Sequence, residues 1–169
     1  MIQKKVCMVG VFGTGKTSLV QRFVHSLFSE RYLSTVGVKI DRKPLDVDGT
    51  HLNLVLWDLA GRDGHEDIAA SYLKGTHAIL YVADGTRKET CDQLPELRAL
   101  ARDAAGEVPE VLALNKIDLT DQWKLGSGDE EELARGWDLV RTSAKSGTGV
   151  EEAFQRLGRA MLAARETRS

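Results

Sequence analysis

The sequence has few cysteines, no long apolar run and almost no net charge, and each of these shortages excludes a class of protein. Two cysteines in 169 residues make neither a disulfide framework nor a metal cluster. They fit a reducing interior, and we expect a cytoplasmic location. No run approaches the roughly 20 apolar residues that a bilayer-spanning helix needs. A net charge of −2 gives no electrostatic reason to bind nucleic acid.

The two ends of the chain carry no signal for lipid attachment. The N-terminus has no secretory apolar segment, and Ile2 stands where N-myristoylation needs glycine. Residues 165–169 contain no cysteine for prenylation, so we expect a protein without a lipid anchor. The length and an ordinary composition, 42% hydrophobic and 28% charged, predict one globular domain over residues 1–169.

The sequence does contain a glycine-rich motif near its start. Residues 10–17, GVFGTGKT, match G-x-x-x-x-G-K-[ST] and lie between an apolar run at 6–9 and a helical pattern over 17–24. Glycines let successive backbone N–H groups surround a phosphate, and the helix N-terminus adds its dipole. The motif predicts that Lys16 reaches the β- and γ-phosphates and that the Thr17 hydroxyl binds Mg²⁺. The alternative is a chance glycine-rich turn, against which the flanking strand and helix argue.

Strand and helix patterns alternate along the rest of the chain. Residues 38–42 alternate apolar and polar, and a turn at 48–49 leads into the apolar residues 52–57, which predicts an antiparallel edge strand. Further strands are predicted at residues 78–83, 111–114 and 138–142, and helices at residues 68–74, 94–104, 129–135 and 150–161. The alternation predicts a doubly wound, mostly parallel six-stranded α/β sheet with one antiparallel edge strand and helices on both faces. Ligands of such sheets bind at the carboxyl ends of the strands.

An aspartate lies at one of these strand ends. Asp58, within WDLAG at residues 57–61, follows a buried strand, where a chain with a phosphate loop is expected to carry a second magnesium-binding element. Asp-x-x-Gly by itself is common in turns and helix caps. The position of Asp58 is therefore what favours the magnesium role.

Together these motifs resemble those of the Ras superfamily of small GTPases, most closely its Rab-like branch, over essentially the whole chain. Residues 10–17 resemble the phosphate loop, residues 32–37 the first switch and residues 57–61 the start of the second switch. Residues 115–118, NKID, and residues 143–145, SAK, resemble the two base-recognition motifs. The resemblance implies the P-loop G-domain fold, binding of GTP and GDP with Mg²⁺, and GTP hydrolysis in a signal-transduction switch.

The resemblance also implies a set of site residues, with the main-chain amides of residues 13–18 around the phosphates. The implied nucleotide-binding residues are Gly13, Thr14, Gly15, Lys16, Thr17, Ser18, Phe28, Tyr32, Thr35, Gly61, Asn115, Lys116, Asp118, Ser143, Ala144 and Lys145. The implied metal ligands are Thr17, Thr35 and Asp58, the last through a water. The positions assigned to catalysis are Lys16, Thr35, Gly61 and Arg62.

The chemistry of one carboxylate supports guanine as the base. Asp118 can accept two hydrogen bonds from guanine, one from the ring N1–H and one from the exocyclic amino group. Adenine lacks this pair of donors and would leave the carboxylate unpaired. By resemblance, Asn115 braces the base loops, and the stems of Lys116 and Lys145 pack on the base. The Ala144 N–H donates to the guanine oxygen.

The implied switch depends on contacts to the γ-phosphate. By resemblance, the Thr35 hydroxyl joins the metal, the Thr35 carbonyl orients the attacking water, and the Gly61 N–H binds the γ-phosphate. Both switch loops, about residues 28–40 and 58–72, should relax after hydrolysis and so change their binding of effector proteins. An exchange factor and a GTPase-activating protein are the other implied partners. Phe28 matches an aromatic that packs against the base, and a core phenylalanine is the alternative.

Two residues depart from the family at the catalytic positions. Arg62 stands where the family has a glutamine that orients water, and Phe12 stands where it has a small residue beside the γ-phosphate. The phenyl ring should crowd both the glutamine position and an arginine from an activating protein. We therefore expect slow intrinsic hydrolysis and a poor response to an ordinary activator. Rival hypotheses make Arg62 an internal arginine finger or a surface arginine without a role.

Three functions remain in competition. The first is a hydrolysing GTP switch. The second is a nucleotide-loaded scaffold or adaptor that hardly hydrolyses GTP, which Phe12 and Arg62 favour. The third is a P-loop kinase of small metabolites, which would need an arginine-bearing lid and an acceptor pocket. The guanine motif at residues 115–118 argues against the kinase.

Overall fold

A computed structural model describes residues 2–29, 37–59 and 70–168 of the protein. The strands are β1 (Ile2–Val9), β2 (Val38–Val47), β3 (Thr50–Leu59), β4 (Ala78–Asp84), β5 (Glu110–Asn115) and β6 (Leu139–Arg141). The helices are α1 (Lys16–His25), α2 (Ala70–Leu73), α3 (Lys88–Asp92), α4 (Leu94–Ala105), α5 (Ser127–Gly136) and α6 (Val150–Arg168). A 3-10 turn spans Thr120–Gln122.

The six strands form one sheet in the order β2-β3-β1-β4-β5-β6. The β2–β3 pair is antiparallel, and the other neighbouring pairs are parallel. Asp48 and Gly49 form the two-residue turn of the β2–β3 hairpin, with φ angles of +49° and +88°. Positive φ at both positions is the geometry of a type I′ turn, which asparagine, aspartate and glycine favour. The predicted doubly wound sheet with one antiparallel edge strand is confirmed.

The sheet is covered by helices on both faces because successive side chains of its strands point in opposite directions. Val6 and Met8 of β1 join a buried cluster that includes residues of α1 and α6. The alternate residues of the same strand, Cys7 and Val9, join a second cluster with residues of α3 and α4. The second half of β1, residues 6–9, is therefore buried on both sides, which explains its uninterrupted hydrophobic run.

Two local features differ from the sequence-based expectations. Lys88–Asp92 forms a short helix of its own ahead of α4, which the periodicity did not predict because five residues hold little more than one turn. The strand β2 runs to Val47 through Pro44, which is tolerated because β2 lies at the edge of the sheet. None of the helices in the described part of the chain has the length and apolar character required to cross a bilayer.

The parallel arrangement brings the carboxyl ends of five strands to one edge of the sheet. The glycine-rich loop follows β1 there, and Asp58, Asp84 and Asn115 lie at the ends of β3, β4 and β5. Ser143 follows the end of β6. Groups that are far apart in the sequence therefore meet at the edge where ligands of doubly wound folds bind.

Gly149, which connects β6 to α6, adopts a conformation that other residues reach only with strain. Its φ is +72°, and a Cβ atom there would collide with the carbonyl oxygen of Arg141. We expect Gly149→Ala to lower the free energy of unfolding by about 2 kcal/mol, from left-handed backbone strain and the collision together. Urea denaturation measures this loss.

The neighbouring Gly147 offers a matched control for that variant. Its φ is also positive, +87°, but the nearest atom to an added Cβ is 3.8 Å away, on Arg22. Gly147→Ala should therefore cost about 1 kcal/mol, from backbone strain alone. Equal losses in the two variants would contradict a steric role for the Arg141 carbonyl.

Candidate functional site

The loop between β1 and α1 holds a buried cation against its own backbone. Lys16 is 6% exposed, and its Nζ donates to the carbonyl oxygens of Gly10 and Val11 at 2.8 and 3.1 Å. Gly15 precedes the first residue of α1 with a φ of +102°, and a Cβ there would collide with the side-chain amide of Asn115. The helix N-terminus and the ammonium group together suit a phosphate ligand.

Two side chains at the end of β5 hold this loop in place. Asn115 Nδ2 donates to the carbonyl of Thr14 at 3.0 Å, and its Oδ1 accepts a hydrogen bond from the Thr142 hydroxyl at 3.0 Å. Lys116 Nζ donates to the carbonyl of Gly13 at 2.9 Å. Asn115 thereby connects the phosphate loop to the end of β6. Loss of its amide would remove one contact from each of these two loops.

The carboxylate expected to select the base is held by one hydroxyl. Asp118 is exposed, and its Oδ1 accepts a hydrogen bond from Ser143 Oγ at 2.8 Å. The carbonyl of Ser143 accepts from the Gly147 N–H at 2.8 Å. A trans peptide points its N–H away from its C=O, so the Ala144 N–H faces the opposite side of this turn. Arg22 Nε binds the carbonyl of Ala144 at 2.7 Å and ties the turn to α1.

The two described residues predicted to serve the metal are in direct contact. Thr17 Oγ1 donates to Asp58 Oδ2 at 2.6 Å, and Asp58 is fully buried. A hydroxyl and a carboxylate oxygen are the hard ligands that Mg²⁺ prefers. Their contact brings α1 and β3 together beside the phosphate loop. The pair fits a magnesium ion in its donor chemistry.

The structure also places the remaining predicted residues. Ser18 lies in the first turn of α1, and Lys145 is exposed in the loop after β6. Phe28 is partly buried and packs against the core cluster that contains α1 and α6. Four predicted positions lie outside the described residues: Tyr32, Thr35, Gly61 and Arg62.

Asp84 is a site residue that the sequence analysis missed. It ends β4, is fully buried, and binds Lys116 Nζ at 2.9 Å and Arg87 Nε at 3.2 Å. The N–H and hydroxyl of Thr86 donate to its Oδ1 at 2.8 and 2.6 Å. The signal that could have found it is the one that identified Asp58, an aspartate at the end of an apolar run.

These contacts keep the Asp84 carboxyl ionised. Burial alone would raise its pKa, but the hydrogen bonds from Thr86 and Lys116 outweigh burial and hold the pKa below the ordinary value of 3.8. A lowered folded-state pKa means that the stabilisation is fully present above the ordinary value and is lost as the pH falls below it. Asp84 is therefore an anion throughout the neutral range, and it pairs with two cations near the loop.

Comparisons with known proteins agree with this arrangement. The sequence model of the Ras family matches residues 5–163 of this chain. A Ras-related protein Rab-1 from Theileria annulata is 34% identical over an alignment of length 161, which covers 93% of this chain and 73% of that protein. A Ras-related protein Rab-8B from Pongo abelii is 32% identical over an alignment of length 161, which covers 94% of this chain and 78% of that protein. The chain therefore belongs to the Ras family and is a small GTP-binding switch protein.

Proposed function

We propose that residues 1–169 form one guanine-nucleotide-binding unit that hydrolyses GTP slowly and presents different switch surfaces in its GTP and GDP forms. The observation that carries this proposal is that the segment at the end of β5 serves two purposes. Asn115 and Lys116 hold the carbonyls of the phosphate loop at 3.0 and 2.9 Å, and Asp118 follows two residues later. Recognition of the base and of the phosphates is thereby built on one short segment.

The roles of the individual residues follow from their chemistry. Lys16 neutralises phosphate charge as it develops, and the loop amides of residues 13–18 donate hydrogen bonds to the phosphate oxygens. Thr17 and Asp58 would hold Mg²⁺, which supplies further charge neutralisation when bound. By the family pattern, Thr35 joins the metal site and orients water. Gly61 binds the γ-phosphate through its N–H.

The slow rate is inferred from Phe12 and Arg62. Phe12 lies in the phosphate loop and is partly buried, at a position where the family has a small residue. Its ring would occupy space that a water-orienting side chain or an activator's arginine needs. Arg62 lacks the neutral amide with which glutamine holds water. We infer that effectors bind the switch segments, about residues 28–40 and 58–72, for long periods after GTP loading.

Calorimetry with GTP, GDP and ATP in the presence of Mg²⁺ tests the proposed binding. We expect GTP and GDP to bind and ATP to compete poorly, because adenine cannot donate the hydrogen-bond pair that Asp118 accepts. Equal binding of ATP and GTP, or binding of neither, would contradict the proposal.

The same two unusual residues, Phe12 and Arg62, favour a second function. A protein that keeps GTP bound would act as a nucleotide-loaded scaffold or adaptor, with the switch loops held in one state. The nucleotide recovered from the purified protein distinguishes the two functions. GDP indicates a hydrolysing switch, and retained GTP indicates the adaptor.

A further inference from the structure

A third side chain holds the phosphate loop, in addition to the two at the end of β5. Arg87, in the segment between β4 and α3, donates from Nη2 to the carbonyl oxygen of Phe12 at 2.7 Å. The next two carbonyls, those of Gly13 and Thr14, accept from the β5 side chains at 2.9 and 3.0 Å. Three consecutive carbonyls of the loop are thus each bound by a side chain that lies at, or shortly after, the end of β4 or β5.

The direction of a carbonyl determines the direction of the next amide. All described peptide bonds are trans, so the C=O of Phe12 and the N–H of Gly13 point in opposite directions within their shared peptide plane. Gly13 has a φ of +79°, a left-handed conformation that lets successive amides converge on an anion. Holding the Phe12 carbonyl toward α3 therefore turns the Gly13 N–H away from α3.

Arg87 is itself anchored by a buried charge. Its Nε lies 3.2 Å from Asp84 Oδ2, and its own N–H donates to the Asp84 carbonyl at 3.0 Å. The same carboxylate binds Lys116 Nζ at 2.9 Å. One buried anion therefore places both cations that bind the carbonyls of Phe12 and Gly13. This shared anchor gives the Arg87 guanidinium a defined position although its side chain is 37% exposed.

We propose that Arg87 is a positioning residue for phosphate binding. Anchored on Asp84, it turns the peptide between Phe12 and Gly13 so that the Gly13 N–H faces the nucleotide phosphates. The inference rests on the proposed nucleotide site and adds a residue that acts through the loop backbone. Base selection by Asp118 does not involve the contact between Arg87 and the Phe12 carbonyl. Loss of Arg87 therefore weakens phosphate binding and leaves the preference for guanine unchanged.

The test compares release of a fluorescent GDP analogue from the full chain carrying Arg87→Ala, Arg87→Lys or Lys88→Ala. Lys88 is the matched control, because it is the adjacent cation, is 54% exposed and pairs with Asp129 at 3.7 Å. We expect Arg87→Ala to release GDP about 3- to 10-fold faster, the equivalent of one ordinary hydrogen bond, because Arg87 acts on the phosphates only through the loop backbone. Arg87→Lys should be intermediate, and Lys88→Ala should match the wild type.

Two further measurements distinguish a loss of positioning of the Gly13 amide from a general loosening of the nucleotide site. The amide resonance of Gly13 in ¹H–¹⁵N spectra should move downfield when GDP binds, and Arg87→Ala should reduce that movement. The affinity ratio of GDP to IDP, which lacks the exocyclic amino group, should stay as in the wild type because Asp118 still reads the base.

An unchanged release rate with an unchanged Gly13 resonance in Arg87→Ala would overturn the inference. Faster release accompanied by a collapsed GDP-to-IDP ratio would also overturn it, since that pattern indicates a loosened site as a whole. If the wild type binds no GDP, the proposed nucleotide site itself is wrong, and this inference fails with it.

Discussion

Replacing Asp118 by alanine should lower the affinity for GDP by about 10³-fold, because two hydrogen bonds from guanine to a charged acceptor are lost. Ser143 Oγ donates to one oxygen of this carboxylate at 2.8 Å and so restricts its orientation. ADP offers no matching donors, and its weak affinity should hardly change. Competition calorimetry at constant Mg²⁺ measures both affinities, and the guanine preference is their ratio.

Two variants make this experiment specific. Asp121→Ala removes the same charge from an exposed position three residues farther along and should leave GDP binding unchanged. Ser143→Ala removes the hydroxyl that orients the carboxylate and should cost about tenfold in affinity, as for one hydrogen bond. If Asp118→Ala kept the guanine preference, base recognition would have to lie elsewhere in the site.

Restoring the family's residues at both unusual positions should accelerate GTP hydrolysis. We expect Phe12→Gly combined with Arg62→Gln to raise the single-turnover rate on the order of 10²-fold, the usual effect of correcting a misplaced reacting group. The glycine removes the ring, and the glutamine provides an amide that can hold the attacking water. Each single substitution should raise the rate less, because the other unfavourable residue is still present.

Arg62→Ala is the control that separates the three hypotheses for this arginine. A sharp fall in rate would identify Arg62 as an internal arginine finger that stabilises transition-state charge. An unchanged rate would make it a surface arginine without a catalytic role. Wild-type hydrolysis at the rate of an activated family member would refute the proposed slow turnover and with it the adaptor function.

Local patterns in the sequence were sufficient for the elements whose geometry is set by neighbouring residues. Asp48 and Gly49 formed the expected hairpin turn because both tolerate positive φ. The glycine-rich motif lies between a buried strand and a helix, as its spacing predicted, and Pro95 lies in the first turn of α4. The order of strands and helices followed from apolar runs and helical periodicity, which are properties of single segments.

The charged cluster at the sheet edge could not be predicted from such local sequence patterns. Asp84, Arg87 and Lys116 belong to segments that meet only when β4 and β5 pair beside the phosphate loop. An aspartate at a strand end has many roles in proteins, and its partners depend on burial and on the direction of side chains from other strands.

The sequence by itself determined the class of fold, because apolar runs and helical periodicity are local. It also determined the phosphate loop and the residues expected to recognise guanine, because each of these depends on a short motif with fixed spacing. Only the tertiary structure decided how the loop carbonyls of Phe12, Gly13 and Thr14 are held. Their partners follow other strands, and pairing a buried carboxylate with two cations requires those strand ends to be packed together. A single segment cannot encode that contact.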